Sequence, residues 1–197
     1  QNGTAINNAD TDGDGRNDAV ELADGCDPRM PTRTIYADNA AGSDANDGLS
    51  PSTAVQTIGA AIKIAQNCAY ENMIRIAPGT YAGTDNKNLS FGGYNIKLCG
   101  DATTPTIIDL ENSGRAFYLT QGENSGSWIK NLTIRNGASD YGSAIRLSKA
   151  APMIQNCLFL NNTASTYGTL YIDGVPEFTL KDCEFIGNKA QYGGGLA

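Results

Sequence analysis

Residues 10–21 read DTDGDGRNDAVE and place five carboxylates, Asp10, Asp12, Asp14, Asp18 and Glu21, within twelve positions. Like charges this close repel one another unless a cation lies between them. Counted from Asp10, oxygen donors fall at positions 1, 3 and 5. Gly15 stands at position 6, where a sharp turn disfavours a Cβ. Arg16 at position 7 can offer its backbone carbonyl, Asp18 follows at position 9, and Glu21 at position 12 can bind through both oxygens. A set of hard oxygens suits Ca2+, whereas Mg2+ keeps its water and takes fewer carboxylates. The expected metal ligands are therefore Asp10, Asp12, Asp14, Arg16, Asp18 and Glu21, and the expected cofactor is Ca2+. The competing reading is a solvated acidic linker, which has no need of glycine at the sixth position.

The spacing is that of a complete EF-hand loop. The polar QNGTAINNA before it is no entering helix, and only DAVELADG after it reads as helical, with Gly25 as its stop. This half-motif, with ELADGCDP behind it, resembles the bacterial thrombospondin type 3-like calcium repeats over about residues 8–33. Cys26 departs from that pattern, which often has threonine there. The resemblance implies an extracellular spacer or stabiliser with a structural ion.

The net charge of −7 is concentrated at the front. Residues 1–50 carry ten acidic and three basic side chains, and residues 51–197 carry eleven of each. No basic face is available for nucleic acid, and no polybasic cluster for anionic lipid. No apolar run approaches the ~18 residues of a membrane span. The first residue is Gln1 and no signal peptide is visible, as expected of a mature or excised secreted or cell-surface chain. Histidine is absent and the five cysteines form no CxxC, which argues against zinc or copper.

Three later stretches superpose: IKNLTIRNGASDYGSAIRL (129–147), IQNCLFLNNTASTYGTLYI (154–172) and LKDCEFIGNKAQYGGGLA (180–197). Asn131, Asn156 and Asp182 align, as do Leu132, Cys157 and Cys183, then Ile134, Phe159 and Phe185. Tyr141, Tyr167 and Tyr192 align, each followed by glycine. Such a period signals a repeat architecture. Alternation of period two argues for strands, with Cys157, Phe159 and Asn161 sharing the inner face. Strands recurring every 25 or 26 residues must pair with the same strand of the next repeat, about 4.8 Å away. The expected fold is all-β: a right-handed parallel β-helix of roughly five to six coils. A leucine-rich repeat would need a helical or 3₁₀ return that these Asn/Gly segments do not support.

The signatures FLNN (159–162) and FIGN (185–188), with YGSAI and YGGGL, resemble the F-x-x-N and G-G-A-I repeats of polymorphic outer-membrane adhesins and secreted β-helix proteins. The first repeat departs from them with IRNG. The stretch from Ile35 to Tyr81 is similar to the leading segment of pectate-lyase-like β-helices. Within it, Val55, Ile58, Ala61, Ile62 and Ala65 form one helical stripe. A capping helix over about 53–66 is expected to cover the first coil. The domain reading is thus a calcium-binding leader, 1–33, and a β-helix, 34–197. A second acidic loop, GSDANDG (42–48), reads as an Asx-rich turn in preference to a weak calcium site at Asp44, Asn46 and Asp47.

For function, the expected class is a calcium-stabilised structural or adhesive protein. Its partners would be another copy, stacked end to end, or an extracellular polysaccharide. The alternative is a polysaccharide-binding or polysaccharide lyase domain. A lyase needs a basic group beside a uronate, and Arg135, Arg146, Lys149 and Lys181 are the candidates. No carboxylate cluster accompanies them beyond the scattered Asp140, Asp173 and Asp182, so no catalytic residue is assigned. A binding module would use Tyr141, Tyr167 and Tyr192, with Tyr171 and Tyr118 beside them; the preferred reading of the ladder is turn packing against the adjacent glycines. Cys157 and Cys183 are expected as small apolar core residues, while one bond among Cys26, Cys68 and Cys99 could staple the leader to the first coils.

Overall fold

The computed structural model describes residues 10–13, 17–19, 22, 28–29, 32–66, 71–175 and 177–197. The chain winds into a parallel β-solenoid of about four turns. Sheet A holds β1 (Thr32–Ala37), β2 (Glu71–Ile76), β4 (Ile96–Cys99), β7 (Trp128–Lys130), β11 (Met153–Gln155) and β15 (Leu180–Lys181) in that spatial order. Sheet B holds β3 (Gly79–Tyr81), β5 (Thr106–Asp109), β8 (Thr133–Arg135), β12 (Leu158–Leu160) and β16 (Glu184–Ile186). Sheet C joins β6 (Phe117–Leu119), β10 (Ile145–Ser148) and β14 (Leu170–Asp173); sheet D joins β9 (Ala138–Tyr141) to β13 (Thr163–Tyr167). Every strand in these sheets pairs in parallel with its counterpart one coil away, as backbone groups in a short repeat must.

The bore is filled by like positions stacked on like. Ile74, Leu98, Ile129, Ile154 and Leu180 face inward along sheet A. Tyr81, Ile108, Ile134, Phe159 and Phe185 do so along sheet B. Phe159 and Phe185 lie with ring centroids 4.7 Å apart. Between sheets A and B the last three coils each turn on one left-handed residue: Asn131, Asn156 and Asp182, at φ 57°, 51° and 52°. Asn and Asp tolerate this conformation better than other side chains.

Fewer coils are wound than the period suggests, because β1 has no partner turns in sheets B and C. Its return path is used by a 3₁₀ turn, Pro51–Thr53, and by helix α1 (Ile58–Gln66). Ile58, Ala61, Ile62 and Ala65 of α1 join the core against β1 and β2. The helix starts later than 53 for a local reason. The Asp44 carboxylate accepts the amide hydrogens of Gln56 and Thr57, both at 2.8 Å, and fixes the helix start there. Val55 stays outside the helix and bridges to Ala37.

The opposite face of sheet A is covered as well. Met73 and Trp128 form a second apolar cluster with Cys99 and Met153 against it, and Lys97 is buried in the same row. No helix among the described residues is long and apolar enough to cross a membrane.

Candidate functional site

Of the six expected calcium ligands, Asp10, Asp12 and Asp18 lie among the described residues; Asp14, Arg16 and Glu21 lie outside them. Asp18 is buried and draws the loop together. Its two oxygens accept the Thr11 amide and hydroxyl hydrogens, both at 2.7 Å. Asp10 accepts the Gly13 amide hydrogen at 2.9 Å. Asp18 is thus tied to position 2 of the stretch and Asp10 to position 4. Among the described residues alone, no three acidic or thiol groups are placed to hold a metal.

The second acidic loop is a turn. Asp44 caps α1, Asn46 donates to the Ala54 carbonyl at 2.9 Å, and Asp47 accepts from the Leu49 amide at 3.0 Å and the Thr53 hydroxyl at 2.7 Å. Those bonds hold the Asp47 carboxyl below its ordinary value, the Leu49 amide most strongly.

The four basic residues considered for a lyase are not brought together. Arg135 of sheet B is tied to Asp109, Nε to Oδ2 at 2.8 Å. Lys149 is exposed at a left-handed turn after β10. Lys181 of sheet A is 4.0 Å from Asp182. Arg146 of sheet C sits instead among aromatic rings.

That aromatic surface is built by register. Phe117 and Leu119 point into the bore, so Tyr118 between them points out. Tyr118, Arg146 and Tyr171 occupy one outward row of β6, β10 and β14. The Arg146 guanidinium lies 5.4 Å from the Tyr118 ring, 5.6 Å from Tyr141 and 5.8 Å from Tyr171. Arg115, just before β6, lies 5.4 Å from the other contact of this row, the same Tyr118 ring. Beside the row runs a second column. Tyr141, Tyr167 and Tyr192 are in register, with centroids 5.6 and 5.3 Å apart. Each tyrosine is followed by a glycine at positive φ (Gly142 62°, Gly168 43°, Gly193 60°), where the chain turns toward sheet C. The glycines therefore serve the turn while the rings stack on one another. Stacking uses up much of each ring face and leaves edges and phenol hydroxyls for a ligand. Tyr118, Tyr167 and Tyr192 remain 39%, 36% and 53% exposed, so the surface is open to a large partner.

Sequence reasoning found the tyrosines and Arg146 but not Arg115, which belongs to no repeated motif. It also placed Asn161 inside. The left-handed turn at Asn161, φ 54°, interrupts the alternation, so Asn161 is exposed and Asn162 enters the interior.

Cys157 is buried and Cys183 half-buried, and both remain thiols in adjacent coils. Each thiol donates to a carbonyl of its own coil, Cys157 to Gln155 and Cys183 to Lys181, both at 3.3 Å, and the proximity of the two raises Cys157 and lowers Cys183 to about 7. Cys99 is partly buried on the outer face of sheet A; Cys26 and Cys68 lie outside the described residues.

No family model matches the chain, and no curated protein matches it. Among solved structures it is similar to a rhamnogalacturonan lyase, at 16% identity and a TM-score of 0.45, covering 83% of this chain and 53% of that one. It is also similar to a GH136 lacto-N-biosidase from Eubacterium ramulus, at 11% identity and a TM-score of 0.37, covering 75% and 34%. The chain thus spans about half the length of the lyase and a third of the biosidase.

Proposed function

We propose that this is an extracellular adhesive protein: a rigid solenoid that holds polysaccharide against its tyrosine columns, with a calcium-stabilised leader. The observation that carries this reading is the exposed pair of aromatic rows on sheets C and D, with Arg146 set among the rings. Tyrosine combines an apolar body with a hydroxyl that can donate and accept, a chemistry that suits sugar rings and their hydroxyls. The solenoid repeats these groups once per coil, every 4.8 Å or so. A polymer of similar repeating units would meet the same groups again at each step, and several weak contacts on one chain reinforce one another.

Binding is favoured over cleavage because Arg135 is engaged by Asp109 and Arg146, over the rings, has no carboxylate beside it to complete a catalytic set. Neither stands free beside a carboxylate pair. In the leader, the carboxylates of Asp10, Asp12, Asp14, Asp18 and Glu21 and the carbonyl of Arg16 would hold the ion, which would supply rigidity and no reaction step.

The test is affinity electrophoresis of the purified protein through gels containing different soluble polysaccharides. Retardation by at least one of them, lost when Tyr167 and Tyr192 are both changed to alanine, is the expected result. Both positions are exposed, so circular dichroism should be unchanged. Binding that survives the double substitution would overturn the reading, as would no binding to any chain.

A further inference from the structure

We infer that Arg115 and Arg146 form an oxyanion site, which makes the tyrosine face select carboxylated or sulfated polysaccharides over neutral ones. The inference rests on the polysaccharide reading and adds the charge of the ligand to it.

The two guanidiniums share the Tyr118 ring, each 5.4 Å from its centroid. Neither donates a hydrogen bond or forms an ion pair among the described residues, and the Nε atoms of both are buried without a partner. Two other cations are paired with carboxylates, whereas Lys130 also lies over a ring, 4.2 Å from the Trp128 centroid. Lys87 meets Glu111 at 2.8 Å and Arg135 meets Asp109 at 2.8 Å. The nearby carboxylate, Asp140, accepts the Ser165 hydroxyl at 2.7 Å and comes within ion-pair distance of neither arginine. Burial, and then the Arg146 charge, hold Arg115 below its ordinary value, as expected of two like charges with no counter-ion between them.

A guanidinium over a tyrosine ring is attracted through its charge and makes no hydrogen bond there. This leaves the in-plane N–H groups, a fork whose geometry matches the two oxygens of a carboxylate or sulfate. An anion at this point would relieve the repulsion between the arginines and take their unused donors. The long-range field does not help it. The chain carries −7 overall, so an anionic polymer is attracted only by this local pair.

The experiment compares polygalacturonate, dextran sulfate and neutral dextran by isothermal titration at low and high salt. The wild type should bind at least one anionic chain about tenfold tighter than dextran at low salt, the difference shrinking as salt rises. In Arg146→Gln and in Arg115→Gln that preference should collapse toward one. Arg146→Lys, which keeps the charge but not the fork, should retain only part of it. Arg115 lies outside the strands, so its variant serves if Arg146→Gln fails to fold by circular dichroism. Preference for polygalacturonate alone assigns the site to carboxylates, and for dextran sulfate alone to sulfates. Equal binding of all three chains, or a preference untouched in Arg115→Gln and Arg146→Gln, overturns the oxyanion site while leaving the polysaccharide reading standing. Binding to none removes both.

Discussion

Asn162 has no exposed surface and its whole side chain serves the turn between coils. Its Oδ1 accepts the Gly137 amide hydrogen at 2.8 Å, and its Nδ2 donates to the Ile134 carbonyl at 3.0 Å and to Asn188 Oδ1 at 3.1 Å. Asn188 repeats the arrangement one coil on, donating to the Phe159 carbonyl at 2.9 Å. This is the physical content of the F-x-x-N signature, and it explains why the first repeat reads IRNG. A Cβ at Gly137 would come within 1.8 Å of the Ser143 carbonyl oxygen, so no asparagine fits there. Asn162→Ala should leave the Gly137 amide buried without a partner, remove the bond to the Ile134 carbonyl and cost about 2 kcal/mol, measured as a shift in the urea midpoint. A second residue-scale expectation concerns Asp109. Burial works to raise its pKa, but the Asn136 amide, the Glu111 N–H and the Arg135 guanidinium outweigh burial and leave it lowered. A depressed native value means that the stabilisation is fully present above the ordinary carboxylate value of 3.8 and is lost as the pH falls from there through the native value. Asp109→Asn should therefore destabilise at neutral pH by roughly 1 kcal/mol, as befits a pair near the surface. The difference from wild type should vanish in acid denaturation curves once the pH is below the lowered native value. A difference that persists in acid would mean the carboxylate charge is not what holds Arg135.

At the scale of elements, helix α1 depends on two side chains far from it in sequence. Asp44 takes the amide hydrogens of Gln56 and Thr57, and buried Asn86 takes that of Ile58 at 2.9 Å. Together they satisfy the first unpaired donors of the helix. Asp44→Ala should cost about 1–2 kcal/mol and lower the far-ultraviolet helical signal; an unchanged thermal midpoint would show that the apolar stripe alone holds the helix. The stripe was legible in the sequence, because Ile58, Ala61, Ile62 and Ala65 recur at helical spacing. Asn86 was not, since nothing near it in sequence marks a cap. The same division runs through the strands. Coils from 128 onward repeat nearly residue for residue, so Ile134, Phe159 and Phe185 could be stacked from their alignment alone. The earlier coils carry turns of unequal length, such as 82–95 and 100–105, which erase the period although the strands pair in the same way. The tyrosine column was visible as three YG pairs. Tyr118 and Tyr171 were placed beside that column, but the position of Arg146 between them was not legible, because the three sit in different motifs and meet only through sheet register.

For the whole molecule, stability is a sum over neighbouring coils. Coil independence has a direct consequence. Asn131 and Asn156 are 25 positions apart and equivalent, so excision of 129–153 joins Trp128 to Ile154 with the register intact. The shortened chain should keep its β circular dichroism and a single, lower melting transition; an unfolded product would mean that contacts beyond nearest neighbours are needed. The leader obeys a different rule, because it has too few apolar residues to bury its own core. Five carboxylates within twelve residues repel one another, and on the calcium reading proposed above a divalent ion between them would remove that repulsion. With a Kd near 10⁻⁴ M and calcium at ~1 mM, mass action adds about 1.4 kcal/mol to whatever folded unit includes the loop. In a chain of this size that is a rise of about 3–6 °C in the melting midpoint. Chelation should reverse it, and Asp12→Asn with Glu21→Gln should make the midpoint indifferent to calcium. Magnesium at the same concentration should do much less, since it gives up its water reluctantly. A midpoint that responds equally to both ions, or a double variant that still responds to calcium, would show that the loop is charged but not a calcium site.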